Sequence, residues 1–170
     1  TVLIPAYRQD IISQVDIAEE LAIAYGYENI KEEIPNISTI AEENKFEVFK
    51  NRLANLLTGL NLLEVNTYHI INSNAQTKLM NLSQEIIKII NPINLEYNSL
   101  RSWLLPSLLQ VLKNNKHNQY PQNIFEIGTV FNKDDEHSNL AISLCHEKAN
   151  FTEIKQILDV IFNSLDLKYE

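Results

Sequence analysis

Apolar positions recur every three or four residues along several stretches of the chain and crowd at pleated spacing along others. Val15, Ala18, Leu21, Ala22 and Tyr25 share one face of a helix that the pattern predicts from Asp10, as its cap, to about Tyr25, with Gly26 as its stop. Ahead of it, Val2-Leu3-Ile4-Pro5 reads as the end of a short strand. Residues 31–41 lack periodicity and contain Pro35, which predicts a linker. Phe46, Phe49, Leu53, Leu56, Leu57 and Leu60 then form a second helical stripe. It stands behind Thr39 and Glu42, which have the spacing of a capping box, and Gly59 is placed to end it. Residues 62–71 and 86–90 are rich in strand formers, and residues 76–82 predict a short helix between them. Pro106 suits the first turn of a helix carrying Leu108, Leu109 and Leu112. Residues 123–132 and 139–146 predict antiparallel neighbours around an acidic turn at 133–137. Residues 151–165 close the pattern with an amphipathic helix on Phe151, Ile154, Ile157, Leu158, Ile161, Phe162 and Leu165. This order predicts an α+β fold, a mostly antiparallel sheet flanked by helices.

Composition narrows the function classes. A chain of 170 residues with 45% hydrophobic and 21% charged residues matches a globular domain. Its formal charge of −8 argues against broad gripping of a phosphate backbone, which needs a basic surface. The single Cys145 excludes an internal disulfide and a multi-cysteine zinc site, in keeping with a reducing, cytoplasmic compartment. No apolar run reaches the ~20 residues that span a bilayer, so no membrane partner is expected. The start at Thr1 lacks an initiator Met, which leads us to expect a piece of a longer protein.

Candidate chemistry is sparse. His69, His117, His137 and His146 lack metal-ligand spacing, and no Gly-rich phosphate loop or nucleophile elbow occurs. Asp16 stands three and four residues before Glu19 and Glu20, which brings these carboxylates to one helix face, with Asp10 just ahead. Two readings stand side by side: acidic residues favouring a helix N-terminus, or oxygen donors for a hard cation such as Mg²⁺. The helix over 46–60 is either ordinary core or a subunit interface, and the hairpin over 124–146 offers a charged tip.

Three stretches carry a resemblance: IPAYRQDIISQVDIAEELAIAYGYENI at 4–30, INPINLEYNSLRSWLLPSLLQVLKNN at 90–115 and IFEIGTVF at 124–131. Together they resemble the phenylalanyl-tRNA synthetase β subunit family, closest to its archaeal and eukaryotic type. The resemblance implies residues 1–30 as the tail of a B5 domain, 31–41 as a linker and 42–170 as part of a catalytic-like domain. That domain would be class II aminoacyl-tRNA synthetase-like and truncated at its C-terminus. The resemblance further implies Asp10, Asp16, Glu19 and Glu20 as Mg²⁺ ligands shared with an α subunit. It places Phe46, Phe49, Leu53, Leu56 and Tyr68 at the subunit interface of an (αβ)₂ assembly. ATP would bind in the α subunit, and tRNA(Phe) would be a partner of the whole enzyme.

The departures from active class II enzymes imply lost catalysis. Their motif 2 carries an arginine that clamps the ATP α-phosphate, and such charge stabilisation needs a fixed guanidinium. The equivalent run here is Phe131-Asn132-Lys133-Asp134, and Lys133, if still on the strand, would face the other way. Glu64-Val65-Asn66-Thr67-Tyr68 resembles motif 1 with Tyr68 at its usual proline. The expectation is a non-catalytic β-subunit module of phenylalanine–tRNA ligase. A class II-derived interaction scaffold is the alternative. An active small-molecule ligase is a further rival, disfavoured because Arg8, Arg52 and Arg101 all lie outside the hairpin; Arg101 is expected in a structural ion pair.

Overall fold

The computed structural model describes residues 2–36 and 41–168. The chain divides into two compact units, Thr1–Glu42 and Glu43–Glu170.

In the first unit, helix α1 runs Gln14–Tyr25 and ends at Gly26, whose φ of 90° suits a residue without a Cβ. Its N-cap is Ser13 rather than the expected Asp10. The reason is local: Asp16 Oδ2 accepts the backbone N–H groups of Ile12 and Ser13, each at 2.7 Å, and so satisfies donors that the helix start leaves free. A short 3₁₀ turn follows at Tyr27–Asn29. Residues 2–5 form no strand. The expected apolar face of α1 is uncovered, with Val15, Leu21 and Tyr25 exposed and no residue of the helix buried.

The second unit is built on β4 (Gln122–Phe131), the middle strand of a three-stranded sheet. Strand β5 (Glu136–Cys145) pairs with it antiparallel from Gln122–Cys145 to Phe131–Glu136, as the hydrophobic pattern predicts. On the other side the two-residue β1 (Leu63–Glu64) runs parallel to it, Leu63 opposite Ile124. A second, two-stranded antiparallel sheet joins β2 (Ile70–Ile71) to β3 (Ser99–Leu100). The single strand expected over 62–71 is therefore two short ones in different sheets. Thr67 between them is drawn out of any ladder, because its backbone N–H and its hydroxyl both bond the buried Glu126. The strand expected over 86–90 is reduced to one bridge, Lys88 to Ser99. In place of the helix expected over 76–82, α3 (Ser73–Gln76) leads into a 3₁₀ turn at Lys78–Met80.

Helix α2 (Lys45–Gly59) starts later than the pattern predicts, on Asn44, whose side chain accepts from the Phe46 N–H at 2.8 Å. Thr39 of the expected capping pair lies outside the described residues. Helices α4 (Leu105–Asn114, with Pro106 in its first turn) and α5 (Phe151–Ser164) lie where the pattern puts them. Leu53 and Leu57 of α2, Leu62, Phe125 of β4 and Ile161 of α5 form the buried core, with Ile127, Leu140, Ile142 and Leu144 of the sheet packed around it. Because side chains alternate along β4, Ile124, Glu126, Gly128 and Val130 point to the other face. All of these but Gly128 are buried.

Gly59 was expected to supply a left-handed stop, but that conformation falls to Asn61, with φ 62°. Gly59 is itself helical, and a Cβ placed on it would meet nothing within 4 Å. Gly59→Ala is therefore expected to raise stability by about 0.5–1 kcal/mol through a less flexible unfolded chain. Urea denaturation followed by circular dichroism checks it; a loss of stability refutes this account of the helix end.

Candidate functional site

Two regions of the chain hold residues with a functional expectation, one in each unit, and each has its own geometry.

In the first unit, the loop before α1 turns back through a hydrogen bond from the Arg8 N–H to the Pro5 carbonyl at 3.0 Å. The turn brings the Arg8 guanidinium onto Asp10, with Nε at 2.9 and 3.1 Å from its two oxygens and Nη2 at 2.7 Å from Oδ2. Nη2 also bonds Glu20 Oε1, one helix turn beyond Asp16. Arg8 thus bridges two carboxylates ten residues apart. The hydrogen bonds from Arg8 hold the Asp10 carboxyl below its usual range, and Asp10 and then Glu20 hold the guanidinium firmly charged. The Ser13 and Ile12 backbone donors hold the Asp16 carboxyl low, against an opposing push from the charge on Asp10. Glu19, on the same helix, is exposed.

Of the four acidic residues expected to bind Mg²⁺, Asp10 and Glu20 share the Arg8 guanidinium, and all four offer oxygens of the hardness the ion prefers. Their arrangement does not fit the ion. Arg8 supplies the positive charge between Asp10 and Glu20, Asp16 caps the helix, and among the described residues no three acidic or imidazole groups converge on a common point. Arg8 was not among the candidate residues. The signal that could have found it is its place two residues before Asp10.

In the second unit, the residues expected at a subunit interface divide by burial. Phe46 and Phe49 stack with ring centroids 6.2 Å apart and remain 50% and 40% exposed, and Lys50 Nζ sits 5.4 Å above the Phe46 ring. Tyr68 is exposed and meets Tyr97 edge-on at 6.4 Å. Leu56 is half-buried against the core, and Leu53 lies inside it. Leu53 is thus corrected from interface to core: it stands four residues before Leu57, on the inward stripe of α2, whereas Phe46 and Phe49 stand on the rim.

The tip of the β4–β5 hairpin closes through Asn132 N–H to the Asp135 carbonyl at 2.8 Å. Lys133 lies in this turn, within the acidic turn that the pattern predicts at 133–137, and reaches the exposed Glu85 at 3.3 Å. Beside the strand's end, the Phe131 N–H bonds the Arg101 carbonyl at 2.9 Å. The Arg101 side chain points away into the protein, where Nη1 pairs with Glu126 Oε1 at 2.6 Å and both residues are 1% exposed. Arg101 is the structural ion pair that the sequence led us to expect. Its partner Glu126 and the buried Gln76 were not foreseen. The Gln76 side chain bonds Ser99, Leu100 and Ser102.

Residues 30–170 match the family described as the phenylalanyl tRNA synthetase beta chain CLM domain, and residues 1–27 match the tRNA synthetase B5 domain. The chain is 40% identical over 173 residues to the phenylalanine–tRNA ligase beta subunit of Thermococcus sibiricus, covering 97% of this chain and 31% of that one. It is 38% identical over 176 residues to that of Pyrococcus abyssi, covering 99% and 32%. It is 34% identical over 171 residues to that of Archaeoglobus fulgidus, covering 98% and 31%. The chain spans about a third of the length of these curated relatives. In fold it is similar to a pyrrolysyl tRNA synthetase, PylSc of Desulfitobacterium hafniense, with a TM-score of 0.60 at 17% identity over 73% of this chain and 46% of that one. A match that runs from residue 30 to residue 170, with relatives this similar along nearly the whole sequence, places the chain in the phenylalanyl-tRNA synthetase β chain family.

Proposed function

We propose that the chain serves within the β subunit of a cytoplasmic phenylalanine–tRNA ligase as a non-catalytic module that supports the α subunit. The observation that carries this reading is the fate of the arginines. The sequence has three, Arg8, Arg52 and Arg101, and the one beside the hairpin is buried against Glu126. A fixed guanidinium facing a nucleotide, which adenylate formation needs, has no candidate at the hairpin tip. The whole enzyme would join phenylalanine to tRNA(Phe) with ATP bound in the α subunit, in an (αβ)₂ assembly. The module alone is expected to give no ATP–pyrophosphate exchange.

The proposed contact with α includes the exposed, stacked Phe46 and Phe49 of α2, together with the exposed Tyr68 and the half-buried Leu56. Large aromatic side chains left in water are the kind of group that anchors a protein interface. Replacing both Phe46 and Phe49 with Asp in the full-length β subunit is expected to abolish co-purification with α, because two desolvated charges would face an apolar partner. Both side chains are largely outside the core, so the fold should survive, as circular dichroism would check. An unchanged complex mass by light scattering would sink the interface assignment.

Asp10, Asp16, Glu19 and Glu20 are proposed as the β-side ligands of an Mg²⁺ ion shared with α. The donor chemistry and the spacing D-x5-D-x2-E-E support this reading. With the arrangement of this chain, the ion would need further ligands from the partner and the departure of Arg8.

A further inference from the structure

We infer that the segment at the end of α4, residues 113–121, is a contact for single-stranded RNA, with Lys113 and Lys116 taking phosphates and Tyr120 stacking on a base. The inference rests on the ligase reading proposed above, which makes the RNA a tRNA.

The chain is acidic, yet no Asp or Glu stands between Glu96 and Glu126. Arg101 of this stretch is buried, so the charges it shows to water are Lys113 and Lys116, with His117 beside them. Among the described residues neither lysine pairs with a carboxylate. Lys113, in the last turn of α4, suits the helix dipole. Lys116 lies beyond the helix and has no such account. Tyr120 is 53% exposed, and its hydroxyl stands 3.5 Å from the Lys116 carbonyl, so the ring lies beside the residue that carries the second cation. The acidic groups that share a cleft with Tyr120, Glu147 and Glu153, are accompanied there by Lys148 and by His146, whose Nε2 is 3.0 Å from Glu153.

The loop is held by its own amides. Gln122 Nε2 donates to the carbonyls of Asn115 at 2.9 Å and Asn118 at 3.2 Å. Asn115 Nδ2 donates to the Val111 carbonyl at 2.9 Å, and Asn118 Nδ2 to Asn115 Oδ1 at 2.8 Å. The amides fasten the backbone while the cations and the ring stay in water. A loop fixed in this way loses little freedom on binding. Unpaired cations suit phosphates, and every base offers a face to an aromatic ring, which is how single strands are held without reading their sequence. An acidic protein segment would use the lysines and leave the ring without a purpose. Two cations are too few to grip a phosphate backbone alone, in keeping with the charge of −8. The patch therefore guides a strand that the whole enzyme also holds elsewhere.

The test measures binding of a tRNA(Phe) transcript to the assembled full-length αβ enzyme, by filter retention across a salt series. Lys113→Gln with Lys116→Gln is expected to weaken binding about tenfold near ~0.1 M salt and to flatten the slope of log affinity against log salt by about 1–2. Tyr120→Ala is expected to weaken binding about tenfold with the slope unchanged, and Tyr120→Phe to bind as the parent does. All three side chains are exposed, so the assembly should stand, as light scattering checks. Unchanged binding in the lysine pair overturns the inference and leaves the ligase reading standing; Tyr120→Ala binding as the parent refutes the stacking. A lysine pair that sheds α marks this patch as a protein contact and also overturns the inference. A parent enzyme that binds no tRNA(Phe) overturns the ligase reading, and the inference with it. If Tyr120→Ala fails to assemble, the salt slope of the lysine pair decides, and an unchanged slope refutes the RNA contact.

Discussion

Replacing Arg101 with Met is expected to cost about 3–5 kcal/mol of stability, the range found when one partner of a buried ion pair is removed. The effect is large because Arg101 satisfies several groups at once. Its Nε donates to the Thr129 carbonyl at 2.7 Å, and Nη1 donates to Thr67 Oγ1 at 2.9 Å and to Glu126 at 2.6 Å. Its backbone also links the segments, with its N–H on the His69 carbonyl and its carbonyl receiving the Phe131 N–H. With Met in place, the Glu126 charge would remain buried with only the Thr67 donors. For a chain of this size, that loss corresponds to a fall in melting temperature on the order of 10 °C. The double variant Arg101→Met with Glu126→Leu is expected to recover much of the loss, since the orphaned charge goes with it. Urea unfolding of the parent, both singles and the double gives the coupling directly. Purely additive losses would show that the two residues do not act as a pair.

A methyl group at Gly128 is the second large effect. Gly128 lies on β4 with Glu126 and faces the same way. A Cβ there would overlap Arg101 Nη2, and would stand 3.1 Å from Glu126 Oε1 and 3.2 Å from Arg101 Cζ. No soft neighbour can yield, because the guanidinium is held by Thr129, Thr67 and Glu126. Gly128→Ala is expected to cost about 1–3 kcal/mol as an overpacked site, and more where Arg101 is forced from its partners. The diagnostic is non-additivity: in the Arg101→Met background the same substitution should cost under about 1 kcal/mol, because a thioether chain can move aside. An equal cost in both backgrounds would mean that the glycine is needed for the strand backbone and not for the guanidinium.

These two predictions come from contacts that the sequence did not disclose. Arg101 was legible as an ion-pair residue, because it lies outside the hairpin, between Ser99-Leu100 and the Pro106 helix. Glu126 was not legible as its partner, because the two meet only once β3 and β4 are folded. The α2 stripe was read correctly as a helix, but its inward and outward residues were not separated: periodicity gives a face, and the neighbour that covers it decides how wide the buried part is. Leu53 therefore went to the interface in the reading and to the core in the fold. Residues 62–71 read as one strand from composition alone, whereas the pull of Glu126 on Thr67 breaks the ladder between β1 and β2. At the acidic cluster the carboxylates were legible by spacing. Arg8, which lies outside the helical register, was not.

The sequence by itself determined the elements whose stability is local. Pro106 in the first turn, the period of residues 151–164, and the paired runs of 122–131 and 136–145 each state their own conformation through backbone preference and hydrophobic period. It also carried the family, which lies in residue identities along the whole chain. Only the tertiary structure decided which charges meet: Arg101 with Glu126 across 25 positions, and Arg8 with Glu20 across 12. An ion pair needs its partners within a few ångströms, and no local pattern encodes a distance that the folded backbone alone sets.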